Sequence, residues 1–374
     1  MRLGNPSVIA AHAMGNFQPT GEWPRWEKNM SENDGREAGV NRRDFLAGVA
    51  AAAVTAAAPG SARTQSISVN DLPIIDSHIH LFNGNRILFG KGYMGSAAYR
   101  AKSNVSLPSM YAPLARPTGI VGAICVQSSF WIDDNLWYLQ VCRENPIMVG
   151  VSGTLDPSCP TFGRYVDHFH RDPLFRAIRV WHFYEADRGK VRLISQQVQN
   201  LKLLADADLA LDTANPSLDL MQANVLLADA IPNLRIIMDH LPAFDPTPEN
   251  RSQYEALVKE MADRPNLFIK LTQVYHPYMV DEGAKNGKIV RNYDLLRPRI
   301  EYLYDAFGED RVLFGSDYPN SYGVATIPQE VSLMKRFFGT KSREQAEKFF
   351  WMNSARIYKW VKRLADQPNP ADAV

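Results

Sequence analysis

The stretch Ile-Ile-Asp-Ser-His-Ile-His at residues 74–80 joins a short apolar run to two histidines separated by one residue. Alternate side chains of a β-strand point to the same face, so a strand here places His78 and His80 side by side. Two imidazoles on one face, at the exit of a buried strand, can chelate a single metal ion. The alternative is a strand end whose polar residues face solvent, and the rest of the sequence decides between the two.

Seven further apolar runs follow, and each is short and lacks clean alternation, which is typical of parallel strands covered on both faces. They lie at residues 120–128, 149–156, 177–183, 209–213, 235–241, 267–273 and 312–319. Segments with helical spacing lie between or after them, at 136–144, 162–170, 191–204, 218–230, 254–262, 293–307, 329–338 and 343–361. Eight strands alternating with helices over about 300 residues predict an α/β fold, a (β/α)8 TIM barrel. A doubly wound open sheet is the competitor, but no glycine-rich loop follows the first strand.

The composition restricts the class of protein. Of the 374 residues 45% are hydrophobic and 22% are charged, as in an ordinary globular protein. The formal net charge is +1, whereas a nucleic-acid-binding protein needs a basic surface. We therefore expect no nucleic acid as a partner. The small-molecule substrate is expected from the site described below, and a homo-oligomer stays open. The three cysteines, Cys125, Cys142 and Cys159, form neither a zinc-finger pattern nor a dense disulfide framework.

The N-terminal residues 1–65 are predicted to lie outside the fold, and residues 66–374 to form the barrel domain. The sequence Asn-Arg-Arg-Asp-Phe-Leu begins at Asn41, and an alanine-rich run at 47–58 leads to small residues suited to cleavage near Ala62. The order Arg-Arg-x-Phe-Leu resembles a twin-arginine export signal, although Asn41 replaces the usual Ser or Thr. We expect export to the periplasm, with no stable membrane insertion once the signal is removed. An N-terminal helix that stays attached is the alternative.

Polar residues collect where the predicted strands end, which is where the site of a TIM barrel is built. Taken alone, His240 is more often a core histidine, and Asp317 is more often part of a turn. The coincidence of such residues at several strand ends nevertheless indicates a functional site. The candidate residues are His78 and His80 on strand one, Arg179 and His182 on strand four, His240 on strand six and Asp317 on strand eight.

Three motifs resemble the amidohydrolase superfamily: Asp-x-His-x-His at 76–80, Asp-His at 239–240 and Leu-Phe-Gly-Ser-Asp-Tyr-Pro at 313–319. More narrowly, the chain is similar to the amidohydrolase-related (amidohydrolase 2) branch. That branch holds sugar lactonases, pyrone dicarboxylate lactonase and, more distantly, certain decarboxylases. The similarity runs from about Leu72 to Trp360, and its motifs are specific for the superfamily but not for a substrate.

The resemblance implies one divalent metal ion, expected to be zinc, held by His78, His80 and Asp317. Many members of the superfamily carry a bridging lysine on strand four and a metal-binding histidine on strand five. Here strand four at 177–183 has no lysine and strand five at 209–213 has no histidine, so a two-metal centre is not expected. A metal-free site is the alternative within the same branch. There, histidines donate hydrogen bonds to the substrate carbonyl and arginines hold the substrate.

The implied activity is hydrolysis of a lactone, either carboxylated or sugar-derived. Asp317 is expected to be the general base, and the metal or a protonated His240 is expected to stabilise the oxyanion. Arg179, His182 and Lys270 are expected to bind substrate, although Arg179 and Lys270 could instead pair with acids inside the barrel. A carboxy-lyase is the second candidate and a non-catalytic ligand-binding barrel the third.

Overall fold

The computed structural model describes residues 68–86, 104–275 and 292–373. The predicted export signal within residues 1–65 lies outside these described residues and stays a prediction. Among the described residues, no helix combines the length and the apolar character needed to cross a lipid bilayer.

Eight parallel strands form one sheet, in which neighbours in the sheet are also neighbours in the order of the chain. The sheet closes because Ile79 forms a parallel bridge with Tyr318, just beyond the last strand, and the His80 N–H donates to the Tyr318 carbonyl at 2.7 Å. The predicted (β/α)8 barrel is confirmed. The strands are β1 Ile74–His80, β2 Ile120–Val126, β3 Met148–Gly153, β4 Phe175–Val180, β5 Ala210–Thr213, β6 Ile236–Met238, β7 Leu267–Leu271 and β8 Val312–Phe314.

Helices lie between the strands and begin where the sequence supplies caps. Ser217 accepts a hydrogen bond from the N–H of Leu220, and Thr326 and Gln329 form a reciprocal capping box. The described α-helices are α1 Pro108–Ala115, α2 Asp134–Glu144, α3 Phe162–Phe169, α4 Ser195–Asp206, α5 Leu218–Ala230, α6 Arg251–Ala262, α7 Tyr293–Phe307, α8 Ile327–Phe338, α9 Arg343–Glu347 and α10 Asn353–Tyr358.

Two predicted helices differ from those observed. The helix predicted at 191–204 starts later, because Lys190–Leu193 pairs as a hairpin with Tyr184–Asp187. The helix predicted at 343–361 is interrupted by a π-helical turn and ends at Tyr358, after which Lys359 adopts φ 52°. A residue in this left-handed conformation ends an α-helix.

A small apolar cluster fills one end of the barrel interior and leaves the other end for polar groups. Seven strands each contribute one buried residue to it, among them Ile75, Ile237 and Leu313. Trp351 and Tyr358 from the C-terminal segment pack against this layer. Because these side chains occupy the N-terminal side of the barrel, the polar residues at the strand exits lie together at its C-terminal end.

Candidate active site

Four of the predicted site residues meet where β1, β6 and β8 end. The Nε2 atoms of His78 and His80 are 3.2 Å apart. The Oδ1 atom of Asp317 lies 3.2 Å from Nε2 of His80 and 3.6 Å from Nε2 of His78. Nε2 of His240 is 3.9 Å from the same oxygen. All four side chains are buried, so three imidazoles and one carboxylate share a single small space.

The arrangement fits a cation. Nδ1 of His80 lies 3.0 Å from the carbonyl oxygen of Val126, which can only accept a hydrogen bond. The ring proton of neutral His80 therefore belongs on Nδ1, and Nε2 presents its lone pair to Asp317. Tetrahedral zinc places its ligand atoms about 3.3 Å apart, close to the separations among His78, His80 and Asp317. Ligand atoms of His78, His240 and Asp317 also lie within 4.8 Å of one another. The predicted set of His78, His80 and Asp317 therefore fits one metal ion, with His240 beside it.

The backbone is strained where three strands lead into this space. His240, Gln273 and Asp317 follow β6, β7 and β8 and have φ values of 60°, 56° and 53°. For residues other than glycine this left-handed conformation costs roughly 1–2 kcal/mol each. Gln273 donates from Nε2 to Oδ2 of Asp317 at 2.7 Å, so two of these residues are in direct contact. Strain of this kind concentrates at functional sites.

Asp76 fixes the segment that carries Asp317 instead of joining the cluster. Its carboxylate accepts hydrogen bonds from the N–H and the hydroxyl of Ser316, at 2.9 and 2.6 Å, and from the hydroxyl of Tyr111 at 2.8 Å. The N–H of His78 donates to it as well, at 3.2 Å. The first strand thus holds the end of the eighth through one buried carboxylate.

The neighbours of Asp317 keep it ionised. Burial alone would raise the pKa of its carboxyl, but the charge that His240 gains in acid, the contact with His80 and the charge of His78 hold that pKa well below its usual value. Ser321 donates from its hydroxyl to Oδ2 at 2.8 Å. Oδ2 is therefore held by its hydrogen-bond donors, while Oδ1 faces the histidines.

His240 is a neutral base in this site. Burial lowers its pKa to about 4. Its Nε2 lies 3.3 Å from Nη2 of Arg179, which can only donate a hydrogen bond, so Nε2 is the acceptor. The ring proton therefore belongs on Nδ1, which lies 2.6 Å from the hydroxyl of Thr272. This corrects the expectation that a protonated His240 stabilises the oxyanion, because the ring lacks a proton on the atom that faces Asp317.

Lys270 lies beneath the cluster and is fully buried. Its Nζ is 2.9 Å from Oδ1 of Asp239, 3.1 Å from Oδ1 of Asp212 and 3.2 Å from Nδ1 of His78. The two buried carboxylates lie within ion-pair distance of the ammonium, so they balance its charge below the cluster. This corrects the prediction that Lys270 binds substrate, and the alternative of pairing with acids inside the barrel applies instead.

Arg179 borders both the buried network and solvent. Its Nε is 3.2 Å from Oδ2 of Asp239, and its guanidinium lies 5.1 Å from the ring centre of Trp181. Nη1 has no hydrogen-bond partner among the residues that the structure describes, so it can bind a ligand. His182 is different, because β4 ends at Val180 and the exposed His182 side chain lies outside the buried cluster. Its role in substrate binding stays a prediction.

Two glutamines near the site were missed in the sequence. Gln273 holds Asp317, as described above. Gln127 follows β2 directly, is 1% exposed and lines the same small cleft as His80. The only signal in the sequence was that Gln127 is the first polar residue after the apolar run that ends at Val126.

A (β/α)8 barrel that brings His78, His80, His240 and Asp317 to the C-terminal ends of its strands defines the class of metal-dependent barrel hydrolases. The family model described as Amidohydrolase (Amidohydro_2) matches residues 75–360. The chain belongs to this amidohydrolase family, which confirms the resemblance seen in the sequence.

Several known proteins are similar to this chain. The L-fucono-1,5-lactonase of Burkholderia ambifaria is 25% identical over 319 residues, which are 78% of this chain and 98% of that protein. An amidohydrolase of Burkholderia multivorans, solved with bound Zn, has 20% identity and a TM-score of 0.64 over 77% of this chain and 100% of its own. The 5-carboxyvanillate decarboxylase of Novosphingobium aromaticivorans, solved with manganese, has 16% identity and a TM-score of 0.54 over 78% and 97%. At these identities the two solved structures show the shared fold alone.

Proposed function

We propose that this protein hydrolyses a lactone, sugar-derived or carboxylated, with one zinc ion held by His78, His80 and Asp317. The observation that carries the proposal is the ionised Asp317 carboxylate, buried 3.2 Å from Nε2 of His80 at the C-terminal end of the barrel. The similarity to an L-fucono-1,5-lactonase supports the lactone as substrate class. A neighbouring fold solved with zinc supports the choice of metal.

Asp317 moves the proton in this reaction. It accepts a proton from water as the water oxygen bonds to the carbonyl carbon of the lactone. The ring C–O bond then breaks, and Asp317 returns the proton to the leaving alkoxide, so the product is a hydroxy acid. A bound zinc ion would supply Lewis-acid polarisation and a lower pKa for the attacking water.

The surrounding side chains orient the water and the substrate. Gln273 and Ser321 hold Oδ2 of Asp317, which keeps Oδ1 directed at the reacting atoms. Neutral His240 accepts a hydrogen bond on Nε2 from Nη2 of Arg179 and so orients that guanidinium beside Asp317. Arg179 is held by Asp239 and lines the cleft beside His80, where its guanidinium contacts an oxygen of the substrate.

A carboxy-lyase ranks below the lactonase. In the amidohydrolase-related branch, that chemistry usually uses a metal-binding histidine on the fifth strand. In this chain β5 carries Asp212, which pairs with Lys270 and accepts a hydrogen bond from Tyr358. The carboxylate is therefore engaged away from the histidines.

Acid release from a panel of lactones, followed with a pH indicator on zinc-loaded protein, tests the proposal. We expect hydrolysis of at least one sugar-derived or carboxylated lactone, with the hydroxy acid identified by mass. Folded, zinc-loaded protein that hydrolyses no lactone but releases CO2 from an aromatic acid would reverse the order of the two candidates.

A further inference from the structure

The proposed hydrolysis needs a hydrogen-bond donor for the carbonyl oxygen of the lactone. Addition of water places negative charge on that oxygen, and N–H groups held in position stabilise such a charge. His240 cannot donate from Nε2, because that atom accepts from Arg179. The ionised carboxylate of Asp317 has no proton to donate. A donor from the protein must therefore come from another residue of the site.

Gln127 carries a buried N–H group without a partner. The residue follows β2 directly and is 1% exposed. Its Nε2 has no hydrogen-bond partner among the residues that the structure describes. A buried donor left unpaired is unfavourable for folding, and a ligand that accepts from Nε2 removes this cost. The amide is therefore better suited to binding a ligand than to stabilising the fold.

The backbone fixes Gln127 close to the predicted metal ligands. The N–H of Gln127 donates to the carbonyl of Ser152 at 2.7 Å. The carbonyl of the preceding residue, Val126, accepts a hydrogen bond from Nδ1 of His80 at 3.0 Å. One strand end thus orients the His80 ring and carries the amide of Gln127. A donor fixed in this way needs no reorganisation when charge develops beside it.

Gln127 lines a small cleft together with Arg179 and Asn320. The cleft has a volume of ≈ 50 Å³, whereas pockets for small molecules usually span about 300–1,000 Å³, so it holds only the reacting end of a substrate. Arg179 and Asn320 also carry N–H groups, whereas the hydroxyl of Ser128 already donates to the carbonyl of Leu81. None of the described residues that line the cleft is acidic. The cleft therefore suits an oxygen atom that gains negative charge.

We propose that Gln127 donates a hydrogen bond from Nε2 to the carbonyl oxygen of the lactone and stabilises the oxyanion. As the water oxygen bonds to the carbonyl carbon, an electron pair of the C=O bond moves onto the oxygen beside Nε2. When the ring C–O bond breaks, that pair re-forms the C=O bond, and the amide keeps its proton throughout. Gln127 is thus a catalytic residue. This inference rests on the proposed lactone hydrolysis and assigns an oxyanion donor to it.

Two substitutions separate donation from other roles of the side chain. Gln127→Met has a similar length and no N–H group. Gln127→Glu can still accept a hydrogen bond from Arg179, but its carboxylate cannot donate one. Both variants should lose about 100-fold in kcat on a lactone that wild type hydrolyses, with a smaller change in KM, because the hydrogen bond strengthens in the transition state.

The control is Gln140→Met, at an exposed position on α2, which should keep the wild-type kcat. The Tm of Gln127→Met should not fall, since the amide that it removes has no partner among the described residues. A wild-type kcat in Gln127→Met would overturn the proposal. A wild-type kcat in Gln127→Glu would also overturn it, because the side chain would then only orient Arg179.

Binding of methylphosphonate separates this inference from the proposed activity, because its tetrahedral anionic group resembles the carbon that has added water. Calorimetry on zinc-loaded protein should show about tenfold weaker binding to Gln127→Met than to wild type, whether or not a lactone is hydrolysed. Weaker binding without any lactone hydrolysis would reject the proposed function and keep Gln127 as the oxyanion donor of another reaction. Equal binding, or none to either protein, would reject the oxyanion donor.

Discussion

Oδ1 of Asp317 and Nε2 of His80 lie 3.2 Å apart, although the two residues come from the last and the first strand region of the barrel. They meet because the chain after β8 pairs with β1. The N–H of Asp317 donates to the carbonyl of His78 at 2.8 Å, and Ile79 bridges to Tyr318. The same backbone contacts therefore close the barrel and bring the site residues together. A mutation that breaks these contacts between β1 and the chain after β8 should lower stability and activity together.

Replacing Asp317 with asparagine should abolish most of the activity. Asp317→Asn keeps the shape but removes the general base and a metal ligand, so kcat should fall roughly 100-fold or more. Substrate binding should persist, because Arg179 is unchanged. Asp310→Asn, which alters an exposed carboxylate, is the control. Wild-type turnover by a folded Asp317→Asn protein would show that another group is the base.

Metal content should depend on the histidines of β1. We expect one zinc ion per chain in purified protein, and much less in His78→Asn and His80→Asn, because each loses an imidazole ligand. His168→Asn, at an exposed position on α3, should retain the metal. Elemental analysis measures the content. A chelator should also lower Tm, since a metal bound only to the folded state stabilises it.

Lys270→Met should be strongly destabilising. The methionine fits the space but leaves the buried Asp212 carboxylate without its cation and Asp239 with Arg179 alone, which costs about 3–5 kcal/mol. Lys259→Met, at an exposed position on α6, should change the free energy of unfolding by no more than about 0.5 kcal/mol. Denaturant titration measures both. A loss below about 1 kcal/mol for Lys270→Met would contradict the proposed charge balance.

The Asp208 ion pairs should make stability depend on pH. Burial alone would raise the pKa of Asp208, but its hydrogen bonds to Lys359 and Arg235 hold that pKa below its usual value. Because the pKa of Asp208 is lower in the folded protein than in the unfolded chain, its ionised carboxylate stabilises the fold. This stabilisation is complete above the pKa of the unfolded chain, about 4, and is lost as the pH falls through the lower pKa of the folded protein.

Asp208→Asn isolates this charge, because Asp208 has φ 56° and asparagine tolerates the left-handed conformation. At pH 7 the variant should be less stable by about 0.5–1 kcal/mol, a modest value because solvent screens these exposed pairs. The difference from wild type should vanish in strong acid. A constant difference at all pH values would mean that packing, not charge, is responsible.

Export is testable through Arg42 and Arg43. Changing both arginines to lysine should retain the protein in the cytoplasm, because the twin-arginine pathway requires the pair. Cell fractionation measures the distribution, and N-terminal sequencing of exported wild type should show a start near Ala62. Export of the lysine variant at the wild-type level would argue against this route.

The sequence was sufficient to predict the architecture. Strand β1 at 74–80 and helices α5 at 218–230 and α7 at 293–307 match their predicted bounds, because hydrophobic spacing reports directly on which side chains share a face. The convergence of His78 and Asp317 also followed, since all strand ends of a parallel barrel meet at one end.

The tertiary structure alone decided how deep each side chain lies and which group opposes it. Lys270 shares the barrel interior with the histidines but lies below them among carboxylates, and His182 lies beyond the end of its strand. The low pKa of His240 arises from burial by residues distant in sequence. The spacing of residues along one strand determines the direction in which each side chain points. How deeply a side chain is buried, and which groups it contacts, depend on packing across the whole barrel.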